Sequence, residues 1–264
     1  DSAPCEWSVG LKCASRGCVS VAQLPLHLNL HKRVTLNLKS KIDIFHSPSL
    51  HLYTSVKRLG FEKSIYFPLA VDQVFLDESK VDHFEQKNII LFVGSLTIQK
   101  GVLELLDSFR MLLKERSDVE LHFAGTGDLE NELKSIVRGN SLEEYVKFLG
   151  FVSRKDIIIT YKSALMLVLP SIWQEQFGVV GLEALALGIP CIGSNIGGIP
   201  EWLYHNEWGY LVPPRSVKDL SSAMLKLLNL DPEKRNEMGE KGRNFIQRNY
   251  NMDLYRENIL SLVR

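Results

Sequence analysis

The sequence predicts an α/β fold in which a parallel β-sheet is covered by helices on both faces. After residue 88, short apolar runs alternate with longer stretches of helical spacing. The runs at residues 89–93 and 165–169 are continuously apolar, which is typical of strands buried on both faces of a parallel sheet. Glycines and unusual polar residues follow the strands rather than precede them. These observations indicate that ligands bind at the edge formed by the carboxyl ends of the strands.

The first 87 residues are predicted to form part of one domain followed by a linker. Residues 24–41 fit a helix better than a strand, and they carry a basic cluster. A strand is expected at 42–46, a helix from Ser49 to Gly60, and a strand at 65–67. Residues 70–87 are charged and weakly patterned, so we interpret them as the linker.

The remainder alternates regularly between strand and helix. Strands are predicted at residues 89–93, 119–124, 146–149, 165–169, 191–193 and 209–212. Helices are predicted at residues 101–115, 129–137, 154–162 and 178–187. Ser216 and Asp219 resemble a capping box for a helix that ends at Leu228, and the helical tail from residue 231 has a break near 249–251.

Composition and net charge argue against two classes of protein, those that bind nucleic acid and those that span a membrane. The 264 residues are 45% hydrophobic and 23% charged, as in an ordinary globular protein, and the net charge is zero. No overall field therefore attracts nucleic acid, and no apolar run approaches the roughly 20 residues that span a bilayer. We expect a cytoplasmic protein without a nucleic-acid partner. Peripheral contact with the inner face of the membrane, through the basic cluster, stays open.

Three of the four cysteines lie near the start of the chain: Cys5, Cys13 and Cys18. Their spacing matches no usual zinc pattern, so we favour reduced thiols over a zinc site completed by His27 or His31. Cys191 lies in an apolar run and is expected to belong to the core.

The stretch 170–201 contains the residues with the most chemical content. Glu175 precedes a helix start at Phe177-Gly178-Val179, and Glu183 lies about one and a half turns inside that helix. The N–H groups of a helix start favour an anion, and Lys100 can add a positive charge, which together suit a diphosphate. Carboxylates accept hydroxyl hydrogen bonds from a sugar or a ribose. Although glutamates near a helix start are more often structural, the combination predicts a nucleotide-sugar site.

Several motifs occur together in a defined order. In chain order they are Gly94-Ser95-Leu96 with Lys100-Gly101, Ala124-Gly125-Thr126-Gly127, 148–152, Pro170-Ser171, 175–178 with 183–186, 197–201 and 209–214. As a set they resemble family 4 glycosyltransferases with the GT-B fold. Ser95 is a departure, since the family usually has an arginine at that position.

The resemblance implies a fold and a reaction. Residues 88–248 would be the Rossmann-like, donor-binding C-terminal domain, and 1–69 the remnant of a second α/β domain on the acceptor side. Residues 249–264 would be a terminal helix that packs back toward that domain. The implied enzyme is a retaining, hexosyltransferase-type glycosyltransferase with a nucleotide-diphosphate sugar as donor and no metal or cofactor. Its acceptor would be a glycan, a lipid-linked sugar or a small molecule, as in polysaccharide or glycolipid biosynthesis.

The resemblance also implies roles for individual residues. Glu175 would be the catalytic-site carboxylate that holds hydroxyls of the transferred sugar, and Glu183 would hold the ribose. The diphosphate would contact Lys100, Gly94, Ser95, Phe177, Gly178 and Val179. The base would be bordered by Gly150, Phe151 and Val152.

Two alternatives stay open at this point. The chain could be a non-catalytic nucleotide-sugar-binding fragment, which the sequence upstream of it would decide. A glycoside hydrolase that uses Glu175 and Glu183 as its carboxylate pair is less favoured, because the helix start between them suits an anion. Release of free sugar from a simple glycoside, without a nucleotide, would favour the hydrolase.

Overall fold

The computed structural model describes residues 37, 39–78 and 88–263, and its contacts divide the chain into two units between Phe67 and Pro68. In the smaller unit, parallel strands β1 (Phe45–Ser47) and β2 (Ser64–Tyr66) are joined by helix α1 (Leu50–Arg58). The Ser49 hydroxyl caps α1 by accepting the Leu52 N–H at 3.1 Å. Strand β1 begins later than predicted because Ile44 is exposed rather than packed.

The larger unit contains a six-stranded parallel sheet flanked by helices, which confirms the predicted fold class. Its strands are β3 (Ile89–Val93), β4 (Glu120–Ala124), β5 (Val146–Gly150), β6 (Met166–Leu169), β7 (Cys191–Ser194) and β8 (Gly209–Val212). Its helices are α2 (Gln73–Glu78), α3 (Val102–Leu112), α4 (Glu130–Gly139), α5 (Ile157–Ser163), α6 (Val179–Ala186), α7 (Val217–Leu228), α8 (Pro232–Asn249) and α9 (Met252–Ser261).

Continuous burial explains why the apolar runs form the central strands. All four residues of β6 are buried, as are all four of β7. Cys191 in β7 is fully buried as predicted, and burial raises the pKa of its thiol. On the flanks, α3 packs against α7 and α6 packs against α8. One hydrophobic core therefore extends across the sheet.

The strand order, which is β5-β4-β3-β6-β7-β8, positions the site. The chain builds outward from β3 to β5, then returns to place β6 beside β3 and continues to β8 on the other side. The loops after β3 and β6 are therefore neighbours at the point where the strand order reverses. In open parallel sheets, ligands bind in the crevice at this switch point.

The structure differs from the sequence expectation at two places near this edge. Helix α2 lies inside the segment interpreted as a linker, because Phe75 and Leu76 are buried against the core. Helix α5 begins at Ile157 rather than at Arg154, so Arg154 stays in the turn that precedes it.

The helices after residue 216 begin and break where the sequence predicts. Ser216 caps α7 by accepting the Asp219 N–H at 3.3 Å. The break near 249–251 separates α8 from α9, and Asn251 caps α9. Most of 24–41, residues 79–87, the three early cysteines, His27 and His31 lie outside the described residues. The helices described within residues 39–78 and 88–263 are all too short or too polar to span a bilayer.

Candidate functional site

Backbone hydrogen bonds join the loops at the carboxyl edge of the sheet. They are Gly125 N–H to Gly150 O (2.8 Å), Gly94 N–H to Ala124 O (3.0 Å), Leu96 N–H to Thr126 O (2.9 Å), Ile172 N–H to Gln99 O (3.0 Å) and Gly198 N–H to Glu175 O (2.8 Å). Each bond connects a loop to the next one along the edge. The loops that the sequence predicted to converge therefore form one continuous surface.

An ion pair lies where the loops after β3 and β6 meet. Lys100 ends the 3₁₀ turn Ile98–Lys100, and its Nζ donates to Glu175 Oε2 at 2.6 Å. The buried Ser171 hydroxyl donates to the same oxygen at 3.1 Å. The Glu175 side chain is 16% exposed and that of Lys100 is 36% exposed. The structure thus brings the predicted diphosphate cation and the predicted sugar carboxylate into direct contact.

Helix α6 starts at the same edge through a glycine with special geometry. Gly178 caps the helix with φ 78°, a left-handed conformation that glycine adopts without the steric cost of a Cβ. The Phe177 ring is buried, and the Phe177 carbonyl accepts the Trp202 Nε1–H at 2.5 Å. Gly178 and Val179 can therefore serve a ligand through the backbone N–H groups that the first turn of a helix leaves free, whereas the Phe177 ring belongs to the core.

The loop after β7 fixes the backbone of Glu175. A Cβ added at Gly197 would lie 2.1 Å from the Glu175 carbonyl oxygen, and Gly197 has φ 61°. The Gly198 N–H donates to that same oxygen. The Gly197-Gly198 pair consequently has a structural role, because it holds the loop that carries Glu175.

A cavity of about 480 Å³ opens along this edge. Its lining includes the predicted contacts Gly94, Ser95, Phe151, Val152 and Glu183, together with Asp72, Phe75, Val93, Ala124, Gly125, Thr126, Arg154 and Ile157. The other predicted site residues do not line it: Lys100, Gly150, Glu175, Phe177, Gly178 and Val179. Lys100 lies at the far end of the loop that begins with Gly94 and Ser95. The cavity and the ion pair therefore share one loop.

Glu183 faces this cavity from α6 and has a buried partner. The Tyr161 hydroxyl donates to Glu183 Oε2 at 2.8 Å and lies 3.2 Å from the Val180 carbonyl oxygen. Burial raises the pKa of the Glu183 carboxyl, opposed by the Tyr161 hydrogen bond and the Arg154 charge. Burial and the Glu183 charge also raise the pKa of Tyr161 well above its usual value. Tyr161 thus stays protonated and donates to the carboxylate.

Sequence reasoning missed Arg154, Asp72 and Tyr161. The Arg154 guanidinium pairs with the Asp72 carboxylate, and both line the cavity. The sequence places Asp72 in the charged linker segment and Arg154 at the start of a helix. A cation directly after the loop of β5 could have been recognised as a residue of the binding edge. Tyr161 could have been noticed as a polar tip in an apolar helix, since a buried tyrosine hydroxyl requires a partner.

The comparisons with known proteins point to one family. A family model described as "Glycosyl transferases group 1" matches residues 75–245. A similar curated protein is an uncharacterised glycosyltransferase of Methanocaldococcus jannaschii, 36% identical over 145 residues, or 55% of this chain and 37% of that protein. Spore coat protein SA of Bacillus subtilis is 35% identical over 185 residues, or 67% and 48% of the two chains. The chain thus spans less than half the length of these relatives.

Solved structures share the fold at low identity. TarM of S. aureus, in complex with fondaparinux, alpha-GlcNAc-glycerol and UDP, aligns with TM-score 0.78 and 19% identity over 88% of this chain and 46% of its own. Anabaena HepE with UDP-glucose aligns with TM-score 0.77 and 19% identity over 89% and 67% of the two chains. These matches support a GT-B architecture. Because the family model covers most of the chain, this protein belongs to the group 1 family of glycosyl transferases.

Proposed function

We propose that this chain carries the donor site of a retaining glycosyltransferase that uses a nucleotide-diphosphate sugar. The observation that carries the proposal is the shared loop 94–101. One end of this loop lines the cavity that contains Glu183, and the other end carries the Lys100–Glu175 ion pair. A nucleoside can occupy the cavity while the diphosphate reaches the lysine. The order of groups along the edge matches the order of groups in a nucleotide sugar.

The diphosphate end of the proposed site combines two sources of positive potential. Lys100 supplies a full charge, and the start of α6 supplies N–H groups and a helix dipole. Gly94 in addition allows the backbone to come close to a phosphate. As the bond to the sugar breaks, negative charge grows on the leaving diphosphate. Groups fixed in advance around that charge stabilise the transition state more than the ground state.

The two glutamates receive separate roles in this proposal. Glu175 binds hydroxyls of the transferred sugar, with Ser171 and Lys100 fixing its Oε2 atom. Glu183 binds the ribose, because it lines the nucleoside cavity and a carboxylate accepts two hydroxyls well. The exposed Phe151 and the neighbouring Val152 border the base, with Gly150 supplying the turn that leads to them.

The same proposal includes membership of glycosyltransferase family 4. It also includes three properties of the reaction: transfer of a hexose, retention of configuration at the anomeric carbon, and independence from a metal or cofactor. UDP is the first nucleotide to test, since a solved complex of TarM contains UDP and one of HepE contains UDP-glucose. The acceptor class and a role in polysaccharide or glycolipid biosynthesis remain predictions. So do the division into domains, the cytoplasmic location and the peripheral membrane contact.

Calorimetric titration with UDP, ADP, GDP and their glucose conjugates tests the donor site. We expect one nucleotide class to bind the wild-type chain. Glu183→Ala and Lys100→Ala should each weaken that binding by about 1–3 kcal/mol, the range for loss of a hydrogen bond to a charged group. If none of these nucleotides binds, or if neither substitution changes the affinity, the proposed site is wrong.

The two alternatives are distinguished from this proposal by activity assays in addition to the titration. A non-catalytic binding module would bind the nucleotide sugar but transfer nothing in the presence of its full acceptor half. A glycoside hydrolase would release sugar from simple glycosides and ignore nucleotides. The hydrolase is disfavoured because Glu175 and Glu183 have different partners and only Glu183 lines the cavity.

A further inference from the structure

Tyr161 is the buried partner of the cavity carboxylate Glu183. Its side chain is fully buried in α5, and its ring meets the Phe75 ring edge-on at 6.0 Å. The hydroxyl reaches Glu183 Oε2 on the neighbouring helix at 2.8 Å. We propose that Tyr161 is a positioning residue for the ribose contact, fixing the Glu183 carboxylate at the cavity wall. This role rests on the proposed donor site.

The hydroxyl has a choice of acceptors, and the carboxylate is the better one. A hydroxyl carries a single proton, so Tyr161 can donate fully either to Glu183 Oε2 or to the Val180 carbonyl oxygen at 3.2 Å. The bond to the carboxylate is shorter, and hydrogen bonds to charged acceptors are the stronger ones. The Val180 carbonyl alone could satisfy a buried tyrosine. The preference for Glu183 therefore points to control of the carboxylate.

This hydrogen bond leaves the carboxylate able to hold a ligand. One lone pair of Oε2 is used by Tyr161, which leaves the rest of Oε2 and all of Oε1 for hydroxyl donors. A ribose offers two neighbouring hydroxyls. Because Tyr161 approaches from the core side, from a fully buried position, it sets the carboxylate orientation without occupying the cavity.

The charges around Glu183 define a pH signature. Arg154, paired with Asp72, favours the ionised carboxylate from the cavity side, and Tyr161 favours it from α5. On the β7 side, the Cys191 thiol is buried and its pKa is raised, so it stays neutral. Loss of the Tyr161 hydroxyl removes a bond to the charged form. The pKa of Glu183, already raised by burial, would then rise further.

Tyr161→Phe tests the proposal because phenylalanine keeps the ring and removes the hydroxyl. UDP binding is measured by calorimetry from pH 5 to pH 9, with ADP and GDP in parallel. We expect Tyr161→Phe to weaken binding about 5- to 20-fold at pH 7 and to move the acid limb of the profile to higher pH. The control is Tyr145→Phe, since Tyr145 precedes β5 at the opposite edge of the sheet. It should bind like wild type.

A ligand lacking the ribose hydroxyls separates positioning from packing. Wild type and Tyr161→Phe should bind 2′,3′-dideoxy-UDP with equal affinity. In a protein that already carries Glu183→Gln, adding Tyr161→Phe should cause no further loss of UDP affinity. Equal weakening of both ligands would overturn the proposal, as would an unchanged pH profile. Absence of any nucleotide binding to wild type would overturn the donor site as well. If Tyr161→Phe does not fold, NMR of the wild-type protein replaces it. The chemical shifts of the Tyr161 ring carbons should then change with pH as Glu183 titrates. In Glu183→Gln this pH dependence should disappear.

Discussion

Lys100 and Glu175 form an ion pair across the two loops at which the strand order of the sheet reverses, with 2.6 Å between Nζ and Oε2. The pair joins the group proposed for the diphosphate to the group proposed for the sugar. A nucleotide sugar would therefore place its phosphates and its sugar on groups that already hold each other in place. In the free protein the Glu175 carboxylate also competes with a diphosphate for Lys100.

Lys100→Ala should weaken nucleotide-diphosphate binding by about 1–3 kcal/mol, because a charged donor to the phosphates is lost. Calorimetric titration measures the change in affinity. The affinity of the variant should also depend less on salt concentration than that of wild type. Lys114→Ala is the matched control, since Lys114 is exposed just beyond the end of α3. If both variants bind with the same affinity, Lys100 does not contact the phosphates.

Glu175→Gln should separate sugar binding from nucleotide binding. Glutamine keeps the size of the side chain, but it removes the charge that competes with a diphosphate for Lys100. The affinity for the free nucleotide should stay constant or increase, while the additional affinity contributed by the sugar disappears. Titrations with UDP and UDP-glucose compare the two. A variant that loses affinity for UDP itself would contradict the assignment of Glu175 to the sugar.

Glu183→Gln should stabilise the protein at alkaline pH. Burial raises the pKa of Glu183 in the folded state, so the folded protein binds more protons than the unfolded chain between the two pKa values. Stability from this group is therefore present at low pH and lost as pH rises. We expect Tm at pH 8 to be higher for Glu183→Gln than for wild type, because glutamine removes the buried charge.

At pH 4 the same substitution should change Tm less than at pH 8, because the carboxyl is then mostly protonated in both states. Thermal melts at pH 4 and pH 8 provide the comparison, with Glu257→Gln on the exposed face of α9 as the control. A Tm that falls at pH 8 would mean that the charge of Glu183 is stabilised in the free protein.

Gly197→Ala should destabilise the protein by about 1–3 kcal/mol, the usual cost of forcing extra volume into a packed site. The new methyl group would meet the Glu175 carbonyl oxygen, so binding of the sugar should weaken as well. Urea unfolding measures the stability. The control is Gly139→Ala at the end of α4, where a Cβ meets nothing within 4 Å. That variant should be neutral or slightly stabilised.

The sequence was informative wherever a local pattern decides the structure. Continuous apolar runs identified the strands of the sheet, and the capping residue Ser216 identified the start of α7. Strand order could not be read in this way, because the return of β6 to the side of β3 depends on packing between distant segments. Helix α2 was missed because only Phe75 and Leu76 carry its buried face amid charged residues.

Side-chain partnerships were the least accessible part of the site. Glu183 and Tyr161 are 22 residues apart in the sequence. They meet only because the fold places α5 beside α6. Lys100 and Glu175 are 75 residues apart and meet at the switch point. Neither spacing carries a signal in the sequence. The residue types predicted the chemistry, whereas their pairing required the fold.

Backbone NMR with a bound nucleotide tests the central claim most directly. On addition of UDP, ADP or GDP, whichever binds most tightly, amide shifts should change in the loops 94–101 and 150–154 and at the start of α6. The cavity at the opposite edge, lined by residues that include Asp118, Glu120 and Glu144, should be unaffected. Changes confined to that opposite edge, or scattered over the surface, would contradict a donor site at the carboxyl edge of the sheet.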